Sequence, residues 1–87
     1  MKRMLTDEQK QAYAICVDLT TRYGANHGYH VMTSMSTVQA SCTIWVDNYD
    51  ELDEIHKHLL LIGVLPSEIE HCYIKKYDQY SITYKGI

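Results

Sequence analysis

Histidine and cysteine are the residues of this 87-residue chain with the chemistry to ligate a transition metal. His56 and His58 are two apart, so their side chains on a helix are separated by roughly 200°, whereas helical ligand pairs are spaced three or four residues apart. His71 and Cys72 are adjacent, which directs them to opposite faces of a strand. The spacing therefore predicts no metal site and no cofactor.

Motifs for catalysis are missing from the sequence. It contains no G-x-S-x-G, phosphate-binding loop, C-x-x-C or H-E-x-x-H, so we expect a protein that is not an enzyme, with no catalytic residues. Its three cysteines are an odd set at wide spacing, which is typical of free thiols in a reducing compartment. No apolar run resembles a signal peptide or a membrane span, so we predict a cytoplasmic protein without membrane contact.

Acidic side chains concentrate where the second helix is predicted to begin. Five carboxylates fall within eight residues, which is more than a helix cap needs, and such a patch suits a cluster of Arg or Lys on a partner protein. The pattern fails as an EF-hand because Tyr49 and Glu51 stand where Asp or Asn should follow. The predicted partner-binding residues are Asp47, Asp50, Glu51, Asp53 and Glu54.

Tyrosine is the most unusual feature of the composition, with eight Tyr, one Trp and no Phe. Tyr and Trp are enriched in contact surfaces because each combines a large ring with a hydrogen-bonding group. Trp45 alternates with apolar strand residues and should therefore lie on an open sheet face. A domain this small supplies a limited core, so we predict a homodimer. The residues predicted for self-association or a second contact surface are Trp45, Tyr73 and Tyr77.

Hydrophobic periodicity predicts one domain over 1–87 with the order α-β-β-α-β-β. Thr6 and Gln9 form a capping box that begins the first helix, and Gly24 is expected to end it. Asn48 or Asp50 caps the second helix, which ends at Gly63. The predicted bounds are 7–23 for the first helix and 29–35, 38–46, 68–76 and 80–84 for the strands, with the inward face of the first strand left open.

Burying one face of every element requires an α+β fold of two layers, in which a four-stranded antiparallel sheet carries both helices on one face. For function, we expect a non-enzymatic regulator or inhibitor that binds another protein, a type common among phage-encoded proteins that act on host machinery. The alternative is a protein that sequesters a small ligand or nucleotide at a dimer interface. Lys75, Lys76 and Lys85 beside the tyrosines suggest a third possibility, binding of single-stranded nucleic acid, which the net charge of −3 disfavours.

Overall fold

Two helices cover one face of a four-stranded antiparallel sheet, in the order α-β-β-α-β-β that the sequence predicts. The structure is a computed structural model that describes residues 5–36 and 38–86. A six-residue π-helix continues α1, and a short 3-10 helix precedes β3. The elements are α1 (Asp7–Leu19), the π-helix (Thr20–Ala25), β1 (His30–Met35), β2 (Ala40–Val46), α2 (Tyr49–Leu61), the 3-10 helix (Pro66–Glu68), β3 (Ile69–Ile74) and β4 (Gln79–Gly86).

The strand order is β1-β2-β4-β3, which the sequence did not determine. Each hairpin pairs its own two strands, and β2 pairs with β4 at the centre of the sheet. Thr43 lies opposite Thr83 in this central pair, and their hydroxyl oxygens are 3.0 Å apart. The two helix-plus-hairpin units are thus joined through their second strands, so the first strand of each unit forms an edge.

The core lies between the sheet and the helices. Alternate residues of β2 are buried, and Leu52, Ile55 and Leu59 supply the buried stripe of α2. Register places Val31, Thr33 and Met35 opposite buried β2 residues, which identifies the helix-facing side of β1. The buried core residues are Ala12, Cys16, Leu19, Tyr23, Ala40, Cys42, Ile44, Val46, Leu52, Ile55, Leu59, Val64, Ile82 and Tyr84.

The predicted end of the first helix was wrong. The Thr6 and Gln9 capping box is present, but Gly24 lies inside the π-helix and does not adopt the left-handed conformation. Gly24 is instead a packing residue, because a Cβ built there would be 3.4 Å from a Val31 methyl group. The left-handed residue is Gly28, with φ +73°, so the turn comes four residues later than predicted.

The second strand also begins later than predicted, at Ala40 rather than Val38. The Ser36 hydroxyl accepts hydrogen bonds from the backbone N–H groups of Val38 and Gln39, which commits that segment to the turn. Thr37, which lies between the predicted first and second strands, is outside the described residues. No helix in 5–36 or 38–86 has both the length and the apolar character needed to cross a membrane.

Local signals around α2 are confirmed. The Asn48 side chain accepts a hydrogen bond of 2.9 Å from the backbone N–H of Glu51, so Asn48 rather than Asp50 is the N-cap. After the helix, Gly63 has φ +96°, a conformation that other residues rarely adopt. These two ends place the acidic segment at one end of α2.

Candidate protein-binding surface

Four acidic residues on the loop before α2 and on its first two turns form what we call the acidic turn: Asp47, Asp50, Glu51 and Glu54. Among the described residues, none of the four forms an ion pair. Asp50 and Glu51 lie in the first helical turn, where the helix dipole favours negative charge. The fifth predicted residue, Asp53, is 3.0 Å from Lys57 instead. Within the described residues, the acidic turn therefore contains four carboxylates that form no ion pair with a basic side chain.

Glu51 is half-buried, whereas Asp47, Asp50 and Glu54 are exposed. Its Oε2 atom is buried and has no hydrogen-bond partner within the described part of the chain. Burial and the charge of Glu51 raise the pKa of Tyr29, and the charges of Glu54 and Asp47 act in the same direction. Tyr29 therefore lies within the negative field of the acidic turn and stays protonated at neutral pH.

Aromatic rings from the π-helix and from the connection between it and β1 border this side of α2. The ring centroid of Tyr29 is 6.3 Å from that of Tyr23 and 5.6 Å from that of His27. His58 of α2 meets Tyr23 edge-on at 6.1 Å, and its Nε2 atom is 3.6 Å from an Asp18 carboxylate oxygen. These contacts fix α2 against α1, and sequence spacing could not indicate them because they join separate elements.

On its other side, the acidic turn adjoins a row of three tyrosines, which we call the tyrosine row: Tyr49, Tyr80 and Tyr73. Tyr49 is the first residue of α2, and its ring centroid is 6.1 Å from that of Tyr80, which is 4.8 Å from that of Tyr73. Tyr49 is 58% exposed and Tyr73 is 48% exposed. The acidic segment and the last hairpin, two separate candidates in the sequence, thus form one continuous surface.

Tyr73 is held in place by a second residue of its own hairpin. Its hydroxyl donates a hydrogen bond of 2.8 Å to Asp78, a turn residue in the left-handed conformation with φ +48°. This hydrogen bond is the largest cause that raises the pKa of Tyr73. A ring fixed in this way loses less conformational entropy when a partner covers it.

The other aromatic residues predicted for a contact surface lie elsewhere. Trp45 is on the open face of the sheet, as predicted, and its ring centroid is 4.9 Å from that of His30. Tyr73 is opposite Tyr80 on the helix-facing side, so the structure does not bring Trp45 and Tyr73 together. Tyr77 lies in the turn between β3 and β4, 67% exposed, with the Lys76 ammonium 5.5 Å from its ring centroid.

The fold brings together one pair of histidines, a contact that the sequence did not indicate. His56 Nδ1 on α2 is 2.8 Å from His71 Nε2 on β3, with the rings edge to face. The spacing argument considered neighbours on one element, whereas this pair joins a helix to an edge strand. No group of three or more His, Cys, Asp or Glu that could hold a metal occurs in the part of the chain that the structure describes.

The histidine pair predicts loss of stability in acid. Burial and the charge of His56 lower the pKa of His71, with Asp53 opposing them. The unfolded chain therefore binds more protons between the folded pKa and the ordinary value of about 6.5, so stability decreases as the pH falls below about 6.5. Urea unfolding at about pH 7.5 and pH 5 measures this contribution, and His71→Asn should reduce the difference. An equal pH dependence in wild type and variant would contradict the assignment.

Taken together, the acidic turn and the tyrosine row place negative charge beside exposed aromatic area. The chain has no significant match among known protein families, curated proteins or solved structures. The chemistry of the surface is suited to recognition: carboxylates attract and orient a cationic partner, while tyrosine rings supply contact area with a polar tip.

Proposed function

We propose that this protein is a non-enzymatic regulator or inhibitor that binds a positively charged surface of another protein through the acidic turn. The observation that carries the proposal is the group of four carboxylates that form no ion pair in 5–36 and 38–86, next to the exposed rings of Tyr49 and Tyr73. Complementary charge accelerates encounter and orients the partner, whereas buried aromatic anchors slow dissociation. The two parts of the surface therefore have separate kinetic roles.

As part of this proposal, the protein acts in the cytoplasm and blocks a basic site of its target, the mode expected of a phage-encoded inhibitor. The free state of its cysteines is consistent with that compartment: Cys16 and Cys42 are buried thiols, and Cys72 is an exposed one. Burial raises the pKa of Cys16 to about 12, so this thiol remains protonated and unreactive at neutral pH.

Reversal of charge in the acidic turn tests the proposal. Asp50 and Glu54 are exposed residues one helical turn apart, so Asp50→Lys with Glu54→Lys changes the surface without touching the core. Glu51 is left unchanged because its carboxylate is partly buried. The control, Asp7→Lys with Glu70→Lys, makes the same charge change at exposed sites and likewise removes one acid from a first helical turn. It also breaks the ion pair between Glu70 and Lys85, which is exposed to solvent and therefore contributes little to stability.

A lysate of the source cell is passed over the immobilised wild type and both variants. The proteins that each retains are then identified by quantitative mass spectrometry. We expect specific proteins on wild type and on the control, released as salt shortens the Debye length from about 8 Å at 0.15 M to about 3 Å at 1 M. The acidic-turn variant should retain about tenfold less of them. Equal retention by the two variants, or retention unaffected by salt, would contradict the proposal.

Self-association through the open sheet face is the second part of the proposal. Trp45 and Met32 lie on that face, opposite the one that α1 and α2 cover, and Met32 is 60% exposed. We expect light scattering to give twice the chain mass of 10.1 kDa for wild type and the monomer mass for Trp45→Lys. Val17→Lys, at a 54% exposed residue of α1, is the control and should leave the dimer intact. A wild-type monomer would eliminate the dimer while leaving the fold unaffected.

A further inference from the structure

A cavity of about 290 Å³ lies between the first half of α1 and the segment that follows α2. It is at the opposite end of α2 from the acidic turn and within one chain. Its apolar walls include Ala12, Ile15 and Val64, and its polar lining includes Glu8, Glu68 and Tyr84. This volume is near the lower end of the range for ligand pockets. The cavity is therefore of a size for a short aliphatic group.

The segment that follows α2 forms one wall of this cavity. Gly63 turns the backbone out of the helix with φ +96°, and the N–H of Val64 donates to the carbonyl of Leu59. The Glu68 carboxylate then accepts a hydrogen bond of 3.1 Å from the backbone N–H of Leu65. Glu68 is thus positioned at the cavity by its own turn, with one carboxylate oxygen in that bond.

The hydroxyl group of Tyr84 belongs to the polar lining of the cavity. The residue is only 4% exposed, and within the described residues its hydroxyl has no hydrogen-bond partner. Burial, followed by the charge of Glu68, raises the pKa of Tyr84 to about 12, so the phenol remains neutral. A neutral phenol oxygen can accept a hydrogen bond from a bound donor.

The charged residues that line the cavity determine which ligand charge is favourable. Glu8 and Glu68 contribute two carboxyl groups to the lining, and neither forms an ion pair among the described residues. A carboxylate or phosphate would be repelled, whereas an ammonium group gains two anionic acceptors and the phenol oxygen. The apolar walls then suit a short alkyl chain attached to that ammonium group.

We propose that this cavity binds a primary alkylammonium group, with the ammonium between Glu8 and Glu68 and the alkyl chain against Ala12, Ile15 and Val64. The cavity is separate from the acidic turn, so this proposal can be tested independently of the proposed partner surface. The same chemistry could be supplied by a free aliphatic amine or by the lysine side chain of a protein.

Titration of the full chain with n-pentylamine, followed by amide chemical shifts in NMR spectra, tests the proposal. We expect saturable shifts around the cavity, and weaker binding by about fivefold or more in Glu68→Gln and in Tyr84→Phe. Glu68→Gln keeps an oxygen that can accept the Leu65 N–H bond, so it remains informative if Tyr84→Phe does not fold. Glu70→Gln, at an exposed residue outside the cavity, is the matched control and should bind normally.

Two further ligands define the chemistry. n-Pentanol and pentanoate have the same chain without the cation, and saturable binding of either as tight as that of the amine would overturn the proposal. A capped glycyl-lysyl-glycine peptide identifies the source: binding of both peptide and amine indicates a lysine side chain, and binding of the amine alone indicates a free amine. Absence of binding by both the peptide and n-pentylamine would also overturn the proposal. So would an equal loss of n-pentylamine affinity in Glu68→Gln and Glu70→Gln.

Discussion

Leu59→Ala is expected to lower the free energy of unfolding by about 2–5 kcal/mol, the range for leucine removed from a close-packed core. Leu59 is 1% exposed and packs in the core between α2 and the sheet. A domain of this size has a stability of only about 3–5 kcal/mol, so the substitution should leave a substantial unfolded fraction at 25 °C. Urea unfolding followed by circular dichroism measures the change.

Leu61→Ala is the matched control, because it makes the same chemical change two residues further along the same helix. Leu61 is 84% exposed, so we expect a change within about 0.5 kcal/mol. Equal effects of the two substitutions would mean that α2 does not present the Leu52, Ile55 and Leu59 face to the sheet. The contrast therefore tests the helix orientation that places the acidic turn at the surface.

Tyr73→Ala is expected to speed dissociation of the partner by about 30-fold, which corresponds to about 2 kcal/mol for an aromatic anchor. The Tyr73 ring is tilted against that of Tyr80, and its hydroxyl is held by a hydrogen bond to Asp78, so truncation removes contact area that is already ordered. Association should change little, because the substitution alters no charge. Surface plasmon resonance with the partner from the capture experiment separates the two rates.

The control for this substitution is Tyr73→Phe, which keeps the ring and removes only the hydroxyl. We expect a smaller effect on dissociation than that of Tyr73→Ala, because the ring area is retained. If Tyr73→Ala instead slowed association and left dissociation unchanged, the anchoring role of the tyrosine row would be wrong.

Local chemistry made much of the fold predictable from the sequence. The capping box at Thr6 and Gln9, the cap at Asn48 and the left-handed Gly63 act within a few residues, so their pattern is visible in the chain. The alternation of β2 likewise identified its buried face and the opposite orientation of Trp45. Such signals fix element type and burial but not which elements become neighbours.

Features that depend on non-local packing were not predictable. Gly24 resembles a helix end in sequence, yet it serves close packing against Val31, and helical hydrogen bonding continues past it. The contact of His56 with His71 depends on β3 lying at the sheet edge beside α2, which follows from a strand order that the sequence left open.

The candidate surface depends on both kinds of signal. Asp53 pairs with Lys57 four residues later on the same helix, a spacing that is visible in the sequence. The partial burial of Glu51, in contrast, depends on how α2 packs in the fold. Tyr49 was not singled out because its role depends on Tyr80, a strand residue far along the chain. Only the folded arrangement joins the two predicted patches into one surface.

The most direct test of the central claim is the association rate of the purified partner, measured as a function of ionic strength. For wild type, the rate should decrease steeply as salt increases, because the acidic turn attracts a basic surface through solvent. For Asp50→Lys with Glu54→Lys, the rate should be lower at low salt and nearly independent of salt, whereas Asp7→Lys with Glu70→Lys should follow the wild type. A wild-type rate that does not vary with ionic strength would contradict the claim.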